Sequence, residues 1–253
     1  IALWDLAARR EGVPLRRLIR EDAPDTVPAY ASGIQIFAAD DLMLRARNDG
    51  HHRFKLKVGF DMAADVGAVH RIQSELAQNE FIACDANQAW SLEQAKAFLN
   101  GIKGVPIHWL EEPLPVFHDN VEWQSLADYA GVALAGGENI IGVADFDHAI
   151  KTGVLSVIQP DVAKWGGITG NFAVARNALK NNRRYFPHFL GAGIGMAASA
   201  ELLAGAGGDG LLEVDVNENP LRTIFFGERE PVSDGEWRCS DGPGLGIDSI
   251  PAE

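Results

Sequence analysis

The chain has 253 residues and 47% hydrophobic content, enough for one large single domain with a buried core. Its formal net charge of -13 argues against nucleic acid or an anionic membrane as a partner, because both would repel such a surface. No apolar run is long enough to span a bilayer, and the two cysteines, Cys84 and Cys239, lack metal-site spacing and favour a reducing, cytoplasmic setting.

Short apolar runs alternate with amphipathic helical stretches along most of the chain. The chain starts at Ile1 within a helical pattern that lacks a capping residue, so a preceding segment is expected upstream. Strands are predicted at residues 27–31, 54–58, 80–85, 107–111, 132–135, 155–159, 184–187 and 211–213. Helices are predicted between them at residues 38–48, 62–77, 92–99, 121–129, 145–151, 169–180 and 196–204. This α/β alternation favours a closed, all-parallel (β/α) barrel of the TIM type.

The predicted barrel occupies the middle of the chain. Residues 1–22 are expected to form a helix that leads into it, and residues 23–218 to form the catalytic barrel domain. Residues 219–253 are predicted to be irregular, because the stretch from residue 227 onward is rich in Gly, Pro and Asp and lacks alternating elements.

Three carboxylates close successive predicted strands. Asp85, Glu111 and Glu138 lie 26 and 27 residues apart, the spacing of one strand plus one helix. Parallel barrel strands all end on one face, so these side chains are expected at one mouth. Close carboxylates repel one another unless a cation lies between them, and oxygen ligands suit Mg²⁺. We expect Glu111 to be the ligand and Glu112, on the opposite side of the strand, to support it; a helix-capping role is the alternative for any one of these carboxylates.

Two lysines and a histidine also lie in or at the ends of predicted strands. Lys55 and Lys57 are two residues apart, so both should face the barrel interior, where nearby ammonium groups lower each other's pKa toward the range of a base. Asp161 and His188 are predicted at the ends of strands six and seven, where the carboxylate would orient the imidazole and raise its basicity. Solvent-facing lysines and a structural histidine are the alternatives.

The other histidines are not assigned a catalytic role. Those in predicted helices or loops are expected at the surface: His51, His52, His70, His118 and His148. His108 falls within a predicted strand and is expected to pack.

A set of short motifs resembles the mandelate racemase subgroup of the enolase superfamily. In chain order they are Lys55-x-Lys57, Asp85-Ala-Asn87, Glu111-Glu112-Pro113, Gly137-Glu138-Asn139, Pro160-Asp161-x-x-Lys164-x-Gly-Gly, His188 and Glu213. Each motif alone is weak, but their order and spacing are specific, and the resemblance runs from Ile1 to the end. Asp161 stands where muconate cycloisomerase-like relatives carry a lysine, which favours the mandelate racemase-like members.

This resemblance implies removal of the proton α to a carboxylate, giving an enediolate whose charge is held by Mg²⁺. The implied metal ligands are those of the acidic triad. Lys57 would be one base, and Lys55 would contact the substrate carboxylate. His188, paired with Asp161, would serve the opposite face of the α-carbon as base or acid.

The resemblance also implies supporting roles. Lys164 and Glu112 would support the ligands, and Asn87 would lie near the substrate. Glu213, if protonated, would donate to the developing enolate; a plain strand-end carboxylate is the alternative.

Two outcomes share this implied apparatus. Dehydration of an acid sugar to a 2-keto-3-deoxy acid is preferred, because members of the subgroup commonly act on sugar acids and no aromatic pocket is evident near the motifs. Some acid-sugar dehydratases of this family carry a histidine at the position of Asn87, so protonation of the leaving group would fall to His188. Racemisation or epimerisation of a 2-hydroxy acid is the alternative, and a catalytically silent carbohydrate-binding barrel is an alternative of another class. The partner is thus expected to be a small-molecule carboxylate. An N-terminal capping domain, toward which residues 219–253 would pack, has no counterpart in this sequence, and a homo-oligomer is compatible with the family.

Overall fold

The computed structural model describes residues 1–116, 120–226 and 232–248. The helices are α1 (Ala2–Glu11), α2 (Leu15–Ile19), α3 (Ala39–Asn48), α4 (Met62–Glu75), α5 (Leu92–Gly101), α6 (Asn120–Ala130), α7 (Val143–Thr152), α8 (Gly167–Lys180), α9 (Gly193–Ala206) and α10 (Pro220–Thr223). The strands are β1 (Thr26–Gln35), β2 (Arg53–Lys57), β3 (Phe81–Asp85), β4 (Leu110–Glu111), β5 (Leu134–Gly136), β6 (Val157–Ile158), β7 (Arg184–Tyr185), β8 (Leu212–Asp215), β9 (Val232–Ser233) and β10 (Glu236–Arg238). None of these helices is long and apolar enough to cross a membrane.

Strands β1 to β8 form a parallel sheet in the order of a TIM-type barrel. Each strand from β1 to β6 pairs with the next one along the chain, and β8 pairs with β1. Where β8 meets β7, the two segments approach closely, since a Cβ on Gly210 would collide with the carbonyl oxygen of Tyr185. The parallel α/β architecture predicted from the sequence is confirmed.

Local sequence signals set several helix boundaries. The Ser91 hydroxyl accepts from the backbone N–H of Gln94, and the Gln94 side chain accepts in return from the backbone N–H of Ser91, a capping box that starts α5. Helix α7 ends at Gly153, whose φ of 77° lies in the left-handed region that a glycine adopts without strain.

An apolar layer fills the barrel beneath its mouth. Trp109 makes edge-to-face contacts with Tyr30 and Phe186, at centroid distances of 5.2 and 5.4 Å. These rings belong to a buried cluster that also includes alanines of β3 and β5. These aromatic rings and alanines form part of the buried core.

The segment after the barrel contains more regular structure than its composition predicted. Strands β9 and β10 form an antiparallel hairpin, and β10 pairs with the first part of β1 from Thr26 to Pro28. These strands of two and three residues are too short to show alternation in the sequence. Residues 227–231 and 249–253 of the predicted irregular segment lie outside the described residues.

Candidate active site

The predicted site residues lie at the C-terminal ends of the parallel strands. Lys57 is the register partner of Asp85, and Asp85 that of Glu111, across β2, β3 and β4. Asp161 and His188 form a parallel bridge just beyond β6 and β7. A cavity of about 370 Å³ opens at this mouth and is lined by Lys57, Asn87, Glu138, Asp161, Lys164 and His188, among others.

The two lysines occupy different depths. Lys57 Nζ lies 2.6 Å from Asp85 Oδ2 and borders the mouth. Lys55 is fully buried, and its Nζ lies 2.6 Å from both Glu111 Oε1 and Glu213 Oε1. Burial alone would lower the pKa of Lys55, but the charges of Glu111 and Glu213 outweigh it and hold the pKa well above its usual range. The predicted lowering of the Lys55 pKa is therefore wrong, and its ammonium group faces carboxylates rather than the substrate space.

Glu111 is held by three donors inside the barrel. Lys55 reaches Oε1, while Oε2 accepts from Trp109 Nε1 at 3.0 Å and from Gln159 Nε2 at 2.7 Å. The sequence analysis missed Trp109 and Gln159. Trp109 lies two residues before Glu111, so strand alternation places both on one face and could have identified it. Gln159 closes the predicted sixth strand, which is the same signal that selected the carboxylates.

The imidazole of His188 is clamped between two carboxylates. Nδ1 lies 2.8 Å from Asp161 Oδ2, and Nε2 lies 2.5 Å from Glu138 Oε2. Burial lowers the pKa of His188, but Glu213, Asp161 and Glu138 together raise it to about 10. Each ring nitrogen of His188 therefore faces a carboxylate oxygen, the arrangement expected of a doubly protonated imidazole.

Asp161 and Glu138 are fixed by further contacts. Asp161 Oδ1 accepts from the backbone N–H groups of Ala163 and Lys164, at 2.7 and 2.9 Å. Lys164 Nζ lies 3.1 Å from Glu138 Oε1. Burial would raise the pKa of Glu138, but the hydrogen bond and charge of His188 outweigh it and hold the pKa well below the usual range.

Glu213 is surrounded by hydrogen-bond donors and cations. It is fully buried, and it accepts from the Ser32 hydroxyl at 2.5 Å and from the backbone N–H of Phe189 at 3.2 Å. Burial would raise its pKa, but the charges of Lys55 and His188 lower it below the usual range. The lowered pKa favours the alternative of a strand-end carboxylate, and donation from a protonated Glu213 stays a prediction. Ser32, which the sequence analysis missed, gives no signal within its strand.

Asn87 and Glu112 take up left-handed backbone conformations beside the site. Their φ angles are 44° and 37°, and the backbone N–H of Asn87 donates to Asp85 Oδ1 at 2.9 Å. Glu112 Oε2 accepts from Asn139 Nδ2 at 2.8 Å, and the same amide donates to Glu138 Oε1 at 3.2 Å. Glu112 thus reaches Glu138 only through Asn139.

The acidic triad does not form a closed metal cage in this conformation. Within residues 1–116, 120–226 and 232–248, no three His, Cys, Asp or Glu side chains converge closely enough to hold a metal ion. Each predicted ligand faces a protein cation instead: Asp85 faces Lys57, Glu111 faces Lys55 and Glu138 faces His188. These side chains must turn before three oxygens can meet at one point.

The donor chemistry nevertheless fits a divalent cation. The site holds five carboxyl groups, those of the triad, Asp161 and Glu213, against the four basic side chains of Lys55, Lys57, Lys164 and His188. Burial and the charge of Asp85 raise the pKa of Glu111, which shows that these carboxylates repel each other. Oxygen donors with uncompensated negative charge are what Mg²⁺ requires.

The histidines outside the site differ in burial. His51, expected at the surface, is 2% exposed, and burial lowers its pKa to about 4. The prediction for His51 was wrong because the linker between α3 and β2 packs inward there, and nothing in the local sequence signals this. His108 is exposed rather than packed into the core, and its ring stacks on Phe81 at 3.5 Å. His118 lies outside the described residues.

A solved structure and a curated enzyme resemble this chain over nearly its whole length. A mandelate racemase/muconate lactonizing enzyme from Bordetella bronchiseptica RB50 has a solved structure with a TM-score of 0.93 and 43% identity, covering 98% of this chain and 69% of that one. D-galactarolactone cycloisomerase from Agrobacterium fabrum is 28% identical over 98% of this chain and 69% of its own length.

A dehydratase is also similar. L-talarate/galactarate dehydratase from Salmonella typhimurium is 30% identical over 98% of this chain and 61% of its own length. A solved structure of a mutant L-talarate/galactarate dehydratase liganded with Mg and L-glucarate has a TM-score of 0.82 and 26% identity, covering 97% of this chain and 61% of that one. The chain spans about two thirds of the length of these relatives. Residues 38–252 match the family model described as enolase C-terminal domain-like, and the chain therefore belongs to that family within the enolase superfamily.

Proposed function

We propose that this barrel removes the proton α to the carboxylate of an acid sugar and expels a β-hydroxyl group, giving a 2-keto-3-deoxy acid. The observation that carries the proposal is the placement of Lys57 and His188 in one cavity of about 370 Å³, with carboxylates of successive strands beside them. The relatives named as acting on galactarate, talarate and galactarolactone support a small polar carboxylate as the substrate.

Mg²⁺ would be held by Asp85, Glu111 and Glu138. When bound, it would supply positive charge that stabilises the negative charge developing on the substrate carboxylate. The magnesium in a related dehydratase structure supports this cofactor. Asn139 and Lys164 already contact Glu138, so they would orient that carboxylate.

Lys57 would take the proton from the α-carbon. Its Nζ must first release Asp85 Oδ2, now 2.6 Å away, and lose its own proton so that its lone pair is free. Departure of the α-proton to Nζ leaves its electron pair on the substrate carboxylate as an enediolate. Lys55 would hold Glu111 and Glu213 in place through its two 2.6 Å contacts.

His188 would protonate the leaving hydroxyl group. Its Nε2 points toward Glu138 Oε2 at the mouth, while Asp161 fixes the ring through Nδ1. The enediolate electron pair forms the double bond as the C–O bond breaks, and the hydroxyl departs with the Nε2 proton as water. The resulting enol becomes the 2-keto acid when C3 takes up a proton and the enol hydroxyl loses one.

Racemisation is the second candidate function, because a doubly protonated His188 across the cavity from Lys57 could also return a proton to the other face of the α-carbon. One experiment separates these outcomes from a silent binder. The protein would be incubated with MgCl₂ in D₂O and a panel of mono- and diacid sugars, followed by NMR and a keto-acid assay. Keto-acid formation supports dehydration, and deuterium exchange with inversion but no keto acid supports racemisation. No exchange across the panel would contradict the proposal.

A further inference from the structure

The two carboxylate oxygens of Glu111 face different kinds of donor. Oε1 lies 2.6 Å from the ammonium group of Lys55, and the same ammonium group lies 3.4 Å from Asp85 Oδ2. Oε2 accepts from two neutral donors, Gln159 Nε2 at 2.7 Å and Trp109 Nε1 at 3.0 Å. Oε1 is therefore the oxygen that shares a charged partner with Asp85, and Oε2 is the oxygen that neutral groups hold in place.

The backbone of Gln159 packs against the segment that carries Glu138. Gln159 is 1% exposed and lies directly after β6, and its backbone N–H donates to the carbonyl oxygen of Gly136 at 2.9 Å. Gly137 has a φ of 145° and lies so close that an added Cβ would come within 2.7 Å of the Gln159 nitrogen. Because Gly137 immediately precedes Glu138, the Gln159 backbone restricts the path of the chain that carries a second predicted ligand.

The side-chain amide of Gln159 uses only one of its two polar ends. Nε2 donates to Glu111, whereas Oε1 is buried and makes no hydrogen bond within the described part of the chain. A buried carbonyl oxygen without a donor costs free energy, and an apolar side chain of similar size would avoid that cost. Stability alone therefore explains this amide poorly, whereas orientation of the Glu111 carboxylate requires its N–H group.

We propose that Gln159 is a positioning residue for the metal-binding carboxylates, an inference that rests on the proposed Mg²⁺ site. Its amide holds Oε2 of Glu111, which leaves Oε1 to bind the ion beside Asp85. A carboxylate oxygen has two lone pairs, so Oε1 can keep its contact with Lys55 and still bind the ion. The backbone of Gln159 keeps the segment that carries Glu138 in place. Residues that orient metal ligands in this way typically contribute about 10- to 100-fold to metal affinity.

The test is Mn²⁺ binding to the whole protein, measured from the electron paramagnetic resonance signal of the free ion. Gln159→Met removes the N–H donor at similar volume, and it also removes the unpartnered carbonyl oxygen. We expect the Mn²⁺ affinity to fall by about 10- to 100-fold, with little change in the urea concentration at which the protein unfolds. An unchanged Mn²⁺ affinity in a folded Gln159→Met variant would overturn the proposal.

Two further variants separate positioning from packing. Gln73→Met on α4 is the matched control, because Gln73 also has a buried Oε1 without a hydrogen-bond partner among the described residues. It should keep the Mn²⁺ affinity of the wild-type protein, and an equal loss there would overturn the proposal by showing a general effect of loosened packing.

Gln159→Asn keeps the amide but shortens the side chain by one methylene group, which withdraws the N–H from Glu111. It should lose Mn²⁺ affinity as Gln159→Met does, and it decides the question should the methionine variant fail to fold. Failure of the proposed function would look different, because the wild-type protein itself would then bind no Mn²⁺. That result would overturn the Mg²⁺ site and this proposal with it.

Discussion

The two walls of the barrel mouth hold their cations at different depths. On the lysine wall, β2 supplies two ammonium groups, and the deeper one, Lys55, is sealed among carboxylates. On the histidine wall, one imidazole lies between two carboxylates and borders the cavity. The lysine wall therefore buries its most strongly held cation among carboxylates, whereas the histidine wall holds its cation at the edge of the cavity.

Removing the cations that face the cavity should have the largest effect. Lys57→Ala should lose both α-proton exchange and keto-acid formation by about 10²- to 10⁴-fold, the usual contribution of a general base. His188→Ala should lose keto-acid formation by a similar factor but keep exchange, because Lys57 still removes the proton. The measurement is NMR exchange in D₂O beside the keto-acid assay, with Lys103→Ala as a distant, exposed control. Full dehydration activity in either alanine variant would refute its assigned role.

Loss of the sealed lysine should damage the fold rather than the chemistry alone. Lys55→Met leaves Glu111 and Glu213 without their buried cation, and we expect a loss of about 3–5 kcal/mol in the free energy of unfolding. Lys57→Met, at the edge of the cavity, should cost clearly less. Urea unfolding of the two variants compares them, and equal losses would remove the distinction between a structural and a catalytic lysine.

A second buried histidine sharpens the contrast with His188. His51 is as buried as His188, but its Nδ1 has no hydrogen-bond partner among the described residues, and burial lowers its pKa to about 4. The unfolded chain takes up this proton near pH 6.5, and the folded protein only near pH 4, so stability should fall as pH drops through that window. The loss should reach at most about 3 kcal/mol.

The measurement for His51 is urea unfolding at pH 7.5 and pH 4.5 for the native protein and His51→Gln. The variant should show a smaller difference between the two pH values. If both proteins lose the same free energy, other groups must be responsible for the acid sensitivity.

The smallest expected effect comes from removing one hydrogen bond to Glu213. Ser32 on β1 and the backbone of Phe189 after β7 both donate to Glu213. Ser32→Ala removes one buried hydrogen bond to a charged acceptor, so we expect a loss of about 1–3 kcal/mol. Thermal unfolding measures this loss of stability, with Ser74→Ala at an exposed position of α4 as the control. A loss no larger than that of the control would mean that the Ser32 hydrogen bond does not contribute to holding Glu213.

Much of the site's position could be predicted from the sequence, because strand ends repeat at near-constant spacing. That rhythm placed Lys57, Asp85, Glu111, Asp161 and His188 at one mouth. It could not predict how deep each side chain lies, since depth depends on strand tilt and stagger. Lys55 and Glu213 were therefore given roles at the substrate, although they are buried in a shared ion pair.

Contacts between residues on distant strands could not be predicted from the sequence either. Gln159 meets Glu111 across the barrel interior, and Ser32 meets Glu213 across the β1–β8 pair, and neither pairing leaves a local pattern. His51 and the hairpin β9–β10 escaped prediction for the same reason, because their burial or pairing is set by elements far away in the chain.

The most direct test of the proposed site is a crystal structure of the protein grown with Mn²⁺ in place of Mg²⁺, with anomalous scattering used to locate the ion. We predict a single ion bound by Asp85, Glu111 and Glu138, with Lys57 and His188 on opposite sides of it. An ion bound elsewhere, or the triad still paired with Lys57, Lys55 and His188 at saturating Mn²⁺, would contradict the account.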